Sequence, residues 1–110
     1  MKKTKRVKLQ RAGWRFGTAA DFLDLSKEEV QFIEIKLALA EGVRQRRLAK
    51  GLTQAELASR IGSSPSRVSF IESGDPSVSI DLMLKTLLTM GVSRAELAKI
   101  ITSRKRRRAA

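Results

Sequence analysis

The sequence predicts an all-α fold in which five helices pack around one core. A Ser or Thr followed three residues later by Glu, the capping box that starts a helix, occurs at Ser26, Thr53 and Ser93. Apolar residues follow these positions at spacings of three and four, the period of one helical face. No stretch of useful length alternates polar and apolar residues as a strand does.

Composition narrows the possible functions before any motif is considered. The 110 residues include no Cys, no His and no Tyr, so disulfides, thiolate metal sites and the usual catalytic base are excluded. We therefore expect no enzyme, no catalytic residue, no metal and no cofactor. No apolar run reaches the ~18 residues of a membrane span and no secretory signal is visible, which predicts a cytoplasmic protein without a membrane partner.

The net charge of +12 is concentrated at the two ends of the chain. Residues 1–11 and the run 104–108 hold almost all of the surplus. We expect a basic flexible tail and aromatic leader at 1–20, a helical domain at 21–103 and a basic C-terminal tail at 104–110. Within the domain, acids predominate from 21 to 41 and bases from 42 to 74, which suggests two different partners.

The first helix is predicted from Lys27 to about Lys50, with Gly51 at its end. Gly42 costs ~1 kcal/mol relative to Ala within a helix, so bending is expected there. One apolar face contains Val30, Ile33, Leu37 and Ala40, and a second contains Phe32, Ile35 and Leu39. Since a small core covers one face, we expect the second face to meet another chain.

Two short helices joined by a tight turn are predicted between residues 52 and 74. Thr53 caps the first, and Gly62 ends it because Gly adopts the left-handed conformation without steric cost. Ser64 caps the second helix, Pro65 suits its first position, and Gly74 ends it. This arrangement is a helix-turn-helix.

Two further helices complete the predicted domain. Ser79 caps a strongly apolar helix along 80–90, which Gly91 ends. The capping box of Ser93 and Glu96 starts a last helix with Leu97, Ile100 and Ile101 on its apolar side.

The helix-turn-helix resembles that of the Xre-type family of phage repressors and Cro proteins. The matching residues are Gln54, Ala58, Gly62, Val68 and Ile71. Ala58 has a physical reason, because a larger side chain would push the crossing helices apart. The resemblance implies a five-helix lambda-repressor-like DNA-binding domain with its helix-turn-helix at 53–73. An ordinary helical hairpin without a DNA role is the alternative.

By this resemblance, the second helix lies in the major groove of double-stranded DNA and the protein binds a palindromic operator as a homodimer. Gln54 and Arg67 are expected on phosphates, and Phe70 on a thymine methyl unless it is an interface or core aromatic. Arg47 and Glu72 are expected to form a structural ion pair. The implied DNA-binding residues are Thr53, Gln54, Ser64, Pro65, Ser66, Arg67, Ser69, Phe70, Ser73 and Ser77. The dimer face could come from the last two helices or from the doubly apolar first helix.

The segment before the motif resembles the leader and first helix of antitoxins of the host-inhibition-of-growth type. These proteins repress their own operon and neutralise RelE-like ribonuclease toxins. The resemblance implies a toxin partner bound by Trp14, Phe16, Phe32, Ile35 and Leu39. A stand-alone phage-type repressor is the alternative, and a nucleoid or RNA-binding protein that acts through its basic tails is a third possibility.

Overall fold

The computed structural model describes residues 25–103, which form five helices and no strand. The helices are α1 (Lys27–Ala49), α2 (Gln54–Arg60), α3 (Pro65–Ser73), α4 (Ile80–Thr89) and α5 (Arg94–Thr102). The all-α, lambda-repressor-like fold is confirmed. The predicted tails at 1–20 and 104–110 lie outside the described residues. None of the described helices is long and apolar enough to cross a membrane.

Each of the five described helices begins directly after the residue whose side chain was predicted to cap it. The reciprocal capping boxes of α1, α2 and α5 are all formed, with Glu56 N donating to Thr53 Oγ1 at 3.0 Å. Ser64 Oγ accepts from Arg67 N at 3.2 Å, and Ser79 caps α4 in the same way. Such caps each stabilise a helix by about 1 kcal/mol and satisfy N–H groups that the helix itself cannot.

Helix α1 is the centre of the domain, because α3, α4 and α5 all pack against it. The expectation that Phe32, Ile35 and Leu39 form one exposed face is therefore wrong. Leu39 is fully buried and Ile35 packs partly buried against the core, whereas Phe32 is 49% exposed. A helix surrounded by three others buries more than one of its faces, so Leu39 and most of Ile35 belong to the domain's own core and Phe32 alone of the three stays largely exposed.

Gly42 allows α5 to approach α1 closely. Helix α1 runs continuously through it, and a Cβ added there would lie 2.9 Å from Cγ2 of Ile100. The packing of α5 against α1 therefore requires a residue without a side chain at position 42. The close contact between the two helices offsets the low helix propensity of glycine.

Arg46 fixes the turn between α4 and α5 against α1. Its Nε and Nη2 donate to the carbonyls of Met90 at 3.3 Å and Gly91 at 3.1 Å, and its Nη1 lies 3.4 Å from Glu96. The hydrogen bond from the Ser93 N–H, together with nearby Arg46, lowers the pKa of Glu96. The guanidinium thus satisfies carbonyls at the end of α4, where the helix leaves acceptors without partners.

Candidate DNA interface

Helices α2 and α3 form the predicted helix-turn-helix. Gly62 takes a φ of +65°, and the N–H of Ser63 donates back to the carbonyl of Ala58 at 2.8 Å. Ala58 is buried in the core cluster together with Val68 and Ile71. The small residue at the crossing and the two inward aliphatic positions of α3 therefore lie where the sequence predicted them.

The outward side of α3 is a continuous solvent-exposed surface. Its exposed residues are Pro65, Ser66, Arg67, Ser69, Phe70 and Ser73. Phe70 is 46% exposed, which excludes the interpretation of this ring as a core aromatic. With Val68 and Ile71 facing the core, the opposite side of the helix is free to enter a groove of DNA.

Some of the predicted DNA-contacting hydroxyls already have partners within the domain. Ser64 accepts the capping bond from Arg67 N, and Ser73 Oγ donates to the Phe70 carbonyl at 3.1 Å. Ser77 Oγ donates to Asp75 Oδ1 at 2.7 Å. The hydrogen bonds from Ser77 lower the pKa of Asp75 and keep its carboxylate charged in the loop after α3. These three serines define the two ends of α3 and its following loop, in addition to any contact with DNA.

Arg47 and Glu72 form the expected ion pair, and the structure adds Gln54 to it. Nε and Nη2 of Arg47 donate to the two carboxylate oxygens of Glu72, the latter at 3.1 Å, and Nη1 donates to the Leu52 carbonyl at 2.9 Å. The bond to Glu72 raises the pKa of Arg47 despite its burial. Gln54 Nε2 donates to the same carboxylate at 3.2 Å. The network ties α1, α2 and α3 together and fixes the start of the helix-turn-helix.

The exposed positive charge near the motif comes from fewer residues than the sequence count indicates. Arg46 and Arg47 both make hydrogen bonds within the domain. The remaining bases of the 42–74 segment are exposed: Arg44, Lys50, Arg60 and Arg67. Only Arg67 was assigned to DNA from the sequence. The tertiary structure shows that Lys50, before the motif, and Arg60, at the end of α2, are also exposed.

A shallow apolar groove lies on the other half of α1. Phe32 and Ile33 form one wall, and the loop before α4 with Ile80 forms the other. Lys36 is buried there and its Nζ lies 3.4 Å from the carbonyl of Pro76. The burial of Lys36 could not be predicted from the sequence, because a lysine within an acidic segment carries no signal of burial. Trp14 and Phe16, the other expected partner-binding aromatics, lie outside the described residues.

The packed helix pair and its exposed second helix define a DNA-binding transcription regulator. Within residues 25–103, no group of three or more acidic side chains is placed to hold a metal ion. A family model described as Helix-turn-helix matches residues 43–97, which is half of the chain, so the protein belongs to the helix-turn-helix family. No curated protein and no solved structure gave a significant match.

Proposed function

We propose that this protein is a sequence-specific repressor that binds a palindromic operator as a homodimer in the cytoplasm. The observation that carries the proposal is the exposed side of α3, held on a rigid frame. Core residues on its inner side and the network of Arg47, Glu72 and Gln54 prevent the helix from rotating. A helix in a fixed orientation can present the same side chains to base edges in every complex.

The contacts divide into two kinds. Phosphate contacts come from Arg67 and from the start of α2, where Thr53 and Gln54 lie, and they set the register on the duplex. Base contacts come from the middle of the exposed α3 surface, at Pro65, Ser66, Ser69 and Phe70. Ser73, the last residue of α3, and Ser77 in the following loop approach the DNA backbone beyond the base-contacting residues.

The last two helices supply the dimer face in this proposal. In α5 no residue is fully buried, although Leu97 and Ile100 pack on the core. Leu88 on α4 and Ile101 on α5 are both exposed large apolar residues. One helix-turn-helix buries too little DNA for tight binding, and a second copy places another α3 one helical turn, about 34 Å, along the duplex.

An antitoxin role is a second candidate, and the exposed ring of Phe32 favours it. The ring lies beside the apolar groove, and the acids Glu28 and Glu29 precede it on α1. A basic ribonuclease could be attracted by this acidic end of the helix. The surface is smaller than the sequence predicted, because Leu39 and most of Ile35 are covered by the domain itself.

Selection of bound duplexes from a random-sequence pool tests the repressor proposal. The expected result is one preferred sequence with two-fold symmetry, bound by a dimer in analytical ultracentrifugation. Recovery of unrelated sequences with equal affinity would refute it and favour a nonspecific nucleic-acid-binding protein.

For the antitoxin candidate, Phe32→Asp should prevent co-purification with the product of a neighbouring gene and leave operator binding intact. If the wild-type chain captures no such protein, the stand-alone repressor stands.

A further inference from the structure

The exposed side of α3 carries an unusual set of chemical groups for a helix that reads DNA. Between residues 62 and 71 there is no Asn, Gln, Lys, Asp or Glu, and the one charged residue is Arg67. The exposed polar groups facing outward from the middle of the helix are the hydroxyls of Ser66 and Ser69. A hydroxyl both donates and accepts a hydrogen bond, so it distinguishes base edges poorly.

The apolar residues on this surface are Pro65, at the start of the helix, and Phe70, which is held in position. Asp75 N donates to the Phe70 carbonyl at 3.0 Å and Ser73 Oγ donates to it at 3.1 Å, which fixes the backbone where the ring is attached. Val68 and Ile71 on the opposite side are fully buried. The helix therefore cannot turn to hide the ring, and nearly half of the Phe70 surface faces solvent.

Position along the helix places the ring within reach of base pairs. Ser66, Phe70 and Ser73 are spaced four and three residues apart, so they lie along one line. At a rise of 1.5 Å per residue this line is about 10 Å long, the length of roughly three base pairs. Phe70 lies near its middle, with a serine on either side.

We propose that this helix obtains its sequence specificity from methyl groups in the major groove, with Phe70 as the residue that detects them. The proposal rests on the repressor function above and names what its reading helix recognises. The C5-methyl of thymine is the apolar feature that a base edge offers there. A 5-methylcytosine carries the same methyl at the same ring position, so the protein should also distinguish methylated from unmethylated cytosine at the position that Phe70 contacts.

The size of the effect follows from the area removed from water. Burying one methyl carbon contributes about 0.8 kcal/mol, which corresponds to about fourfold in affinity. A symmetric operator has one such contact in each half-site, so removing both methyls should weaken binding about sixteenfold.

The experiment uses the full chain and the duplex recovered by selection. Each thymine in turn is replaced by deoxyuridine in both half-sites, a change that removes the methyl and leaves base pairing intact. One thymine position should show the sixteenfold loss. At that position a C·G pair and a 5-methyl-C·G pair are then compared, and the methylated form should bind more tightly by a similar factor.

Three variants assign the effect to the ring. Phe70→Ala should bind the thymine and deoxyuridine duplexes with equal affinity, and Phe70→Leu should retain most of the difference because it keeps an apolar group there. Ser69→Ala is the matched control on the same surface, and it should retain the full difference whatever its overall affinity. Thermal unfolding of each variant confirms that the domain is folded.

The outcomes separate this inference from the function on which it rests. A preferred operator bound equally with thymine or deoxyuridine at every position would refute methyl reading and leave the repressor intact. A methyl preference that persists in Phe70→Ala would refute the assignment to this residue. Equal binding of the two cytosine forms would refute recognition of 5-methylcytosine. If selection recovers no preferred site, the repressor function fails, and methyl reading fails with it.

Discussion

Removal of the Glu72 carboxylate should strongly destabilise the domain, because it leaves the buried Arg47 guanidinium without its anionic partner. The side chains of Arg47 and Glu72 are only 11% and 6% exposed. In Glu72→Ala the Arg47 guanidinium loses both carboxylate bonds, and Gln54 loses its acceptor. Breaking a buried ion pair by removing one partner costs 3–5 kcal/mol, because a charge is left buried without compensation.

The structure favours the lower end of that range. Arg47 keeps its hydrogen bond to the Leu52 carbonyl, and the guanidinium retains some contact with water. We therefore expect a loss of about 3 kcal/mol in the free energy of unfolding. For a domain of this size, 1 kcal/mol corresponds to about 4–8 °C, so Tm should fall by at least ~12 °C. Urea unfolding followed by circular dichroism measures the free energy directly.

Two matched variants test the reasoning. Glu96→Ala removes the carboxylate that pairs with Arg46 and also completes the capping box of α5. The side chains of that pair are 30% and 47% exposed and a cap contributes about 1 kcal/mol, so the loss should be well below that of Glu72→Ala. Arg47→Met combined with Glu72→Leu replaces both charges by apolar groups and should recover most of the stability lost in Glu72→Ala. Equal losses in Glu72→Ala and Glu96→Ala would show that burial of the ion pair does not determine the loss of stability.

Three further outcomes follow from the same structure. Arg67→Ala should weaken binding to all DNA sequences by a similar factor and reduce the slope of log affinity against log salt by about one unit, because a phosphate contact is independent of sequence. A change in the preferred base, measured by repeating the selection, would contradict this. Gly42→Val should destabilise the domain by about 1–3 kcal/mol in urea unfolding, since the valine side chain would collide with Ile100. The loss of stability should be smaller when Gly42→Val is made in an Ile100→Ala background, and an equal loss in both backgrounds would exclude the collision. Asp75 has a lowered pKa in the folded state, so its contribution to stability is present above its usual value of 3.8 and is lost as the pH falls through the folded value. In Asp75→Asn the fall of Tm as the pH drops below 3.8 should be shallower, and identical pH profiles would show that the carboxylate is not coupled to folding.

The positions of the helices and of the helix-turn-helix could be predicted from the residues alone. Their starts depend on interactions across three residues, such as Thr53 with Glu56, and their ends on glycines such as Gly62, so local chemistry is sufficient to locate them. The inward positions Val68 and Ile71 also follow from helical spacing alone. The DNA-binding class could be predicted for the same reason, because the motif occupies one short contiguous segment.

Which faces of α1 are covered and which charges remain exposed depends on how the helices pack, and could not be predicted from the sequence. Leu39 and Phe32 are both large apolar residues of one helix, yet one is buried and the other is half exposed. Arg46 and Arg47 are adjacent in sequence but bind different elements of the domain, the α4–α5 turn and α3. These outcomes depend on contacts between residues 25 to 50 positions apart, and helical periodicity carries no information about how many neighbours will surround a helix.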